Sequence, residues 1–279
     1  MKVEHVRMTR EDAVLIIRFV NEKSRNSMTA ELRAQLRDAM AVAAEDDEIR
    51  AVYITGQGAA FCSGGDLHML KSARDPWAVH RRFRSLGSWF LSMLQFEKPV
   101  VVGVNGYTVG GGIGLALTGD VVIAAESAKF VSGFFRLGVI PDVGMMYTLP
   151  RLIGLARAKR FLFCNETLTA REAFDIGMVA RVVPDHQLDL ECLQQARQFA
   201  AGPATVMGLS KLLMSRTFET GLNEMFLIEG LGQSLAMSSD EFSEGLSAML
   251  DRRPAEFGAA NGRAREADAA RAAKQRNKQ

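Results

Sequence analysis

Residues 98–130 read KPVVVGVNGYTVGGGIGLALTGDVVIAAESAKF, and this stretch decides the fold. An apolar strand is predicted over residues 99–104, and a second is predicted over residues 121–126. A glycine-rich turn and the start of a helix at Ile113 lie between them. A helix between two buried strands indicates a crossover connection and parallel pairing. The sequence therefore predicts an α/β fold with a largely parallel sheet.

The same stretch contains an uncharged run of 21 residues, 99–119, which is long enough to suggest a membrane span. The run holds seven glycines together with Asn105 and Thr118, a composition that disfavours a membrane helix. A buried strand, a glycine turn and a buried helix fit it better. We therefore expect no membrane partner.

The pattern of strands and helices continues on both sides of this stretch. Two strands are predicted within residues 3–20, and a helix capped by Thr29 follows, with Leu32 and Leu36 at helical spacing. Residues 51–56 form another apolar strand. Beyond about residue 154 the sequence becomes mainly helical, so helices are expected to dominate the C-terminal part.

Composition excludes several classes of protein. The 279 residues are 48% hydrophobic and 24% charged, which is ordinary for a globular chain. Three cysteines do not make a disulfide framework, and the four histidines lack metal-site spacing. The N-terminus has no signal-peptide pattern, so a cytoplasmic location is expected. Segment 263–279 carries six basic and two acidic residues; the basic charge therefore belongs to a tail, and no nucleic-acid partner is expected.

Two glycine-rich loops carry the candidate chemistry. FCSGGDL (61–67) follows a strand and precedes a helix, and NGYTVGGGIG (105–114) does the same. The unshielded N–H of Gly65 would suit a developing oxyanion, and two such loops on adjacent strands would aim two donors at a thioester enolate. Either loop alone also fits a tight turn. The G-x-G-x-x-G spacing of dinucleotide-binding proteins is absent.

The two loops, taken together with further motifs, resemble the crotonase (enoyl-CoA hydratase/isomerase) superfamily over roughly residues 5–258. The matching segments are NEKSRNSMTAEL, AVYITGQGAAFCSGGDL, the 98–130 stretch, LGVIPDVG, LPRLIGLARAKRFL, LTAREAFDIGMVARVV and EFSEGLSAMLDRRPAEF. The resemblance implies a spiral of strand–strand–helix repeats over residues 1–200. It also implies a helical trimerisation region at 201–258, and residues 259–279 are then a basic flexible tail. A homo-trimer or a dimer of trimers is expected.

The resemblance further implies an acyl-CoA thioester as substrate, with coenzyme A as part of that substrate and no separate cofactor or metal. The oxyanion donors would be the N–H groups of Gly65 and Gly111. Lys23 and Arg25 lie where this family borders coenzyme A, although a solvated basic loop fits them equally well. The other expected substrate-binding residues are Ser63, Asp66, Leu67, Phe134 and Pro141. Asp66 is also expected to cap the helix that follows the first loop.

The chain departs from the hydratases of this family at two positions. Those enzymes use two glutamates to activate water and deliver a proton, and the matching positions here are Gly114 and Phe134. Neither residue can transfer a proton. The two-glutamate hydration mechanism is therefore not expected.

One acid, Asp142, remains in the apolar run LGVIPDVG (137–144). Burial of a lone carboxylate is unfavourable and raises its pKa, so such residues are often functional, although a turn-forming Asp after Pro141 is the plainer interpretation. In relatives with an acid here, among them enoyl-CoA isomerases and the ring isomerase of phenylacetate catabolism that forms oxepin-CoA, the acid is the main proton shuttle. The resemblance thus favours an acyl-CoA isomerase that moves a double bond through Asp142.

Other reactions of the same superfamily remain open: a hydratase, a thioesterase, or a dehalogenase in which the acid is a nucleophile. The dehalogenase route also needs a histidine to activate water, and the segment before Lys98 offers only His80. A member that binds coenzyme A without catalysis is a further alternative.

Overall fold

The computed structural model describes residues 3–67, 71 and 75–258. The expected tail at 259–279 lies outside the described residues. The strands are β1 (Val6–Glu11), β2 (Val14–Phe19), β3 (Ala51–Gly56), β4 (Ala60–Cys62), β5 (Val100–Val104), β6 (Tyr107–Val109), β7 (Val121–Ala125), β8 (Lys129–Val131), β9 (Thr167–Thr169) and β10 (Arg181–Val183).

The helices are α1 (Ala30–Glu45), α2 (Pro76–Leu94), α3 (Gly111–Ala116), α4 (Met145–Ile153), α5 (Leu155–Phe163), α6 (Ala170–Asp175), α7 (Leu188–Ala201), α8 (Ala204–Met214), α9 (Leu222–Met237) and α10 (Asp240–Asp251). Two short 3-10 turns lie at Glu22–Ser24 and Asp185–Gln187. α2 begins at Pro76, where the preceding Asp75 accepts a hydrogen bond from the Trp77 N–H. Residues 68–70 and 72–74 are outside the described part.

The strands form two sheets, and the chain alternates between them. One sheet has the order β1-β2-β3-β5-β7-β10 and the other β4-β6-β8-β9. β3, β5 and β7 each lie in the first sheet, and β4, β6 and β8 follow them in the second. Apart from the antiparallel end pairs β1–β2 and β8–β9, the pairings are parallel. The expected α/β spiral of strand–strand–helix repeats is confirmed.

Four strands of the first sheet, β2, β3, β5 and β7, are buried on both faces, which explains their almost continuous apolar sequences; the edge strand β1 is mostly exposed. In β3, Val52 and Ile54 face the core between the two sheets, whereas Tyr53 faces α7. α1 covers the inter-sheet core with one apolar stripe and begins at its predicted cap, where Thr29 Oγ1 accepts from the Leu32 N–H at 3.1 Å.

A buried ion pair ties the C-terminal helices to the first sheet. Arg50 donates to the carbonyl oxygens of Ala200 and Gly202, both at 2.7 Å, and its Nη2 lies 3.3 Å from Glu241 Oε1. The Glu241 carboxylate also accepts the backbone N–H of Val206 at 3.1 Å. The pair therefore fixes where α8 begins relative to β3 and α10.

Glu241→Ala is expected to lower the free energy of unfolding by about 3–5 kcal/mol, because it leaves the buried Arg50 guanidinium without its counter-charge. Denaturant unfolding measures the change. Asp38→Ala is the control: Asp38 pairs with Arg37 on an exposed surface, so its loss should change stability by at most about 1 kcal/mol. Equal losses for the two variants would contradict the assigned role of the buried pair.

The helices near the C-terminus expose large apolar side chains. In α9 the exposed set is Leu222, Phe226, Leu227, Leu231, Leu235 and Met237. Exposed apolar side chains in this number are typical of interaction surfaces. Among the described residues, no helix combines the length and the apolar character needed to cross a bilayer.

Candidate active site

The first glycine loop follows β4 and lies directly against the second. Gly64 has a φ of +82°, and a Cβ built there would lie 2.6 Å from the Val109 carbonyl oxygen and 3.6 Å from the Gly111 nitrogen. A side chain at Gly64 would therefore separate the loops. The parallel register that pairs Cys62 with Thr108 brings the ends of β4 and β6 to the same edge.

The second loop follows β6 and begins α3 at Gly111. Gly110 has a φ of +52°, and a Cβ at Gly112 would overlap the Cys62 carbonyl oxygen. Glycine is thus required at position 110 by the backbone conformation and at position 112 by the close approach of the Cys62 carbonyl oxygen. In the part of the chain that the structure describes, the N–H groups of Gly65 and Gly111 have no protein acceptor. The two expected donors therefore lie on loops in contact, and no described residue accepts a hydrogen bond from either of them.

Asp142 lies beside the second loop, just before α4. A Cβ built at Gly111 would lie 3.2 Å from Asp142 Oδ1. The backbone carbonyl of Asp142 accepts from the Met145 N–H at 3.0 Å, so the residue is anchored to the first turn of α4. The structure therefore places two of the candidate site residues, Asp142 and Gly111, side by side.

Burial raises the pKa of the Asp142 carboxyl above its ordinary value. Two cations, Arg82 on α2 and Arg33 on α1, act in the opposite direction and reduce the rise without cancelling it. The desolvated environment is the one expected of a carboxylate that exchanges protons with an apolar substrate.

Neither position of the hydratase glutamates provides a carboxylate. A Cβ at Gly114 would overlap the Val143 carbonyl oxygen, so even alanine does not fit there. Phe134 is buried, and its ring lies 3.6 Å from a Cβ built at Gly110. The two-carboxylate arrangement is thus excluded by steric overlap at position 114 and by residue type at position 134.

The segment expected to border coenzyme A runs alongside the first loop. The Ser63 N–H donates to the Arg25 carbonyl at 3.0 Å, and Ser63 Oγ donates to the Ser24 carbonyl at 3.0 Å. The Met28 N–H donates to the Gly64 carbonyl at 2.7 Å. Lys23 and Arg25 are exposed at the edge of the loop that contains Gly65, where charged groups of a ligand could reach them.

The remaining candidates occupy different surroundings. Pro141 and Phe134 are buried next to Asp142 and the second loop, respectively. Leu67 is 60% exposed at the end of the first loop. Asp66 was expected to cap the helix that follows the first loop; residues 68–70 lie outside the described part, so this expectation stays a prediction.

Sequence reasoning missed Arg33 and Arg82, the two cations that act on Asp142. Arg82 lies one turn before Leu86 and three turns before Met93, so a charged side chain continues the line of buried residues along α2. Arg33 adjoins the buried Leu32 on α1 and donates to the Met28 carbonyl at 3.4 Å. Both residues could have been proposed from the sequence, because each places a charge at the edge of a helical face that is otherwise apolar.

Comparison with known proteins identifies relatives of this chain. The sequence profile of a family described as enoyl-CoA hydratase/isomerase matches residues 9–260. The chain is 36% identical to 1,2-epoxyphenylacetyl-CoA isomerase of Escherichia coli (strain K12) over 255 residues, covering 88% of this chain and 95% of the relative. It is 30% identical to crotonyl-CoA hydratase of Syntrophomonas wolfei over 259 residues, covering 92% and 99% of the two chains.

Solved structures give the same result for the fold. The crystal structure of an enoyl-CoA hydratase/isomerase from Cupriavidus metallidurans CH34 superposes with a TM-score of 0.88 at 29% identity, and the match covers 92% of this chain and 97% of the other.

Proposed function

This chain belongs to the enoyl-CoA hydratase/isomerase family, and within that family we propose that it is an acyl-CoA isomerase with Asp142 as its proton shuttle. One observation carries the proposal: Asp142 Oδ1 lies beside Gly111, and neither position of the hydratase glutamates has a carboxylate. One of these positions is Phe134, and the other is Gly114, which packs against the Val143 carbonyl oxygen. A single carboxylate next to an oxyanion donor suits a reaction that moves one proton and uses no water.

In the proposed mechanism the thioester carbonyl accepts hydrogen bonds from Gly65 and Gly111. The Asp142 carboxylate removes a proton from C2 of a 3-enoyl thioester, and the electron pair moves onto the carbonyl oxygen to give a dienolate. The two N–H groups stabilise this negative charge. The protonated Asp142 then delivers its proton to C4, the double bond forms between C2 and C3, and the carboxylate is regenerated.

Incubation with trans-3-hexenoyl-CoA in deuterated buffer tests the proposal. The expected product is 2-hexenoyl-CoA with deuterium at C4, and crotonyl-CoA supplied in parallel should not be hydrated. Formation of a 3-hydroxyacyl-CoA without a double-bond shift would overturn the proposal in favour of a hydratase. 1,2-Epoxyphenylacetyl-CoA, the substrate in the name of the E. coli relative, is the second compound to assay because it distinguishes a ring substrate from a linear one.

The histidine that the sequence offers for the dehalogenase alternative is His80. His80 is exposed on α2, where its ring packs edge-on against Trp77 with centroids 5.9 Å apart. It lies two residues before Arg82, about 200° around the helix from the side that reaches Asp142. The surroundings of His80 therefore do not favour activation of water at Asp142.

The rate of isomerisation is expected to decrease at low pH, because Asp142 must be ionised to act as the base. The midpoint of this decrease should lie above the pKa of an ordinary aspartate, because burial raises the pKa of Asp142. Arg82 lowers that pKa, so Arg82→Gln should move the acid limb to still higher pH. The dependence of kcat/KM on pH measures both effects. Arg81→Gln is the control, since the Arg81 side chain is 71% exposed. Superimposable acid limbs for wild type and Arg82→Gln would contradict the assignment.

The proposal includes a homo-trimer or a dimer of trimers, supported by the exposed apolar side chains of α9. The mass in solution is therefore expected to be three or six times 30.6 kDa. Leu231→Glu should dissociate the assembly, because it places a charge on that face. Leu190→Glu is the matched control, as Leu190 is similarly exposed on α7. Light scattering after gel filtration reports the masses; a monomeric wild type would refute this part.

A further inference from the structure

Val143 has a backbone conformation that β-branched residues avoid. Its φ is +47°, and the next residue, Gly144, has a φ of +70°. A valine in this left-handed region is strained, whereas glycine adopts it freely. Strain of this kind persists where the surrounding structure enforces it, and it is concentrated at functional sites. A valine at this position is therefore expected to have a structural or functional role.

The Val143 side chain and carbonyl oxygen both contact α3. Val143 is buried, and its Cγ2 lies 2.7 Å from a Cβ built at Gly111, while its carbonyl oxygen occupies the space of a side chain at Gly114. Gly144 is covered by the ring of Phe90 from α2, which leaves no room for a side chain there. Residues 143–144 are thus fixed between α2 and the first turn of α3, immediately after Asp142.

We propose that Val143 is a positioning residue that holds the Asp142 carboxylate beside the oxyanion donor Gly111. The inference rests on the proposed function, in which one carboxylate serves two carbons of the same substrate. A shuttle of this kind has to keep its oxygen within reach of both carbons while the dienolate stays bound to Gly111. The strained valine provides this restraint, because its side chain packs on α3 and prevents the 142–144 loop from moving away.

Val143→Gly tests the inference, since glycine relieves the strain and removes the side chain that packs on α3. We expect kcat for 3-hexenoyl-CoA to fall about 10–100-fold, the range in which small displacements of reacting groups reduce rates. KM should stay near the wild-type value, because the coenzyme A contacts are untouched. Val143→Thr retains the branched shape and should restore most of kcat. Asp12→Gly relieves a left-handed residue in the exposed β1–β2 turn and should change neither constant.

Crystal structures of wild type and Val143→Gly give a second readout that does not depend on the substrate. The expected result is an Asp142 carboxylate displaced from Gly111 in the variant. An unmoved carboxylate, or an unchanged kcat in an active enzyme, would overturn the positioning role and leave the isomerase proposal intact. A wild type that does not isomerise, together with a displaced carboxylate in the variant, would overturn the proposed function and support the positioning role.

Discussion

Asp142→Asn is expected to lower the rate of isomerisation by about 10²–10⁴-fold, the contribution typical of a positioned general base. Asparagine has nearly the same shape as aspartate, so it preserves packing beside Gly111 while it removes the group that accepts and returns the proton. Deuterium incorporation from solvent should be lost in parallel, because exchange and isomerisation share the same first step. Asp38→Asn, an exposed carboxylate on α1, serves as the control and should retain full activity.

The same substitution is expected to raise the melting temperature at neutral pH. The folded-state pKa of Asp142 lies above its unfolded-state value, so the folded protein binds the proton more tightly, and stability falls as pH rises through that interval. Above the interval the wild type bears a desolvated charge that asparagine lacks; below it both side chains are neutral and the difference should vanish. A variant that loses activity and stability together at neutral pH would point to misfolding instead.

Gly111→Ala is expected to lower kcat by about 10²–10³-fold, the loss measured when one oxyanion donor is removed. The added Cβ would lie 2.7 Å from Val143 Cγ2 and 3.2 Å from Asp142 Oδ1, so the Gly111 N–H and the carboxylate can no longer keep their relative positions. Because the interaction is formed with the charged intermediate, kcat and kcat/KM should fall together.

Gly87→Ala is the matched control for this substitution. A Cβ at Gly87, on α2, meets no atom within 4 Å, so the variant should retain wild-type kinetics. Binding of butyryl-CoA, which cannot isomerise, should also be similar in wild type and Gly111→Ala when measured by calorimetry. Full activity in Gly111→Ala would exclude this loop as the oxyanion site.

The sequence was sufficient to predict the parts of the site that depend on local pattern. Gly65, Gly111 and Asp142 each have a plainer interpretation as turn residues, but the order of the two loops and the acid along the chain indicated both the fold and the candidate site. Arg33 and Arg82 could not be placed in the same way. Their distance from Asp142 depends on how α1 and α2 pack on the spiral, which is a long-range property of the chain.

The conformation of Val143 was also beyond prediction from sequence. Its neighbours Asp142 and Gly144 are typical of a turn, and a β-branched residue between them gives no sign of a left-handed backbone. The same loop leaves no room for a side chain at position 114, because the Val143 carbonyl oxygen packs against α3 there. This contact could not be predicted from the sequence. Local propensity predicts elements well, but it does not predict which backbone atoms meet.

The contact between Val143 and Gly114 has a consequence for the relation between activities in this family. A hydratase cannot be recovered from this chain by Gly114→Glu alone, because the backbone of the 142–144 loop occupies the space of the new side chain. The loop has to be rebuilt before a glutamate at 114 is tolerated, and a rebuilt loop removes the restraint on Asp142. A variant with the rebuilt loop alone is therefore expected to isomerise more slowly without gaining hydration, so a laboratory evolution experiment would need to change both segments together.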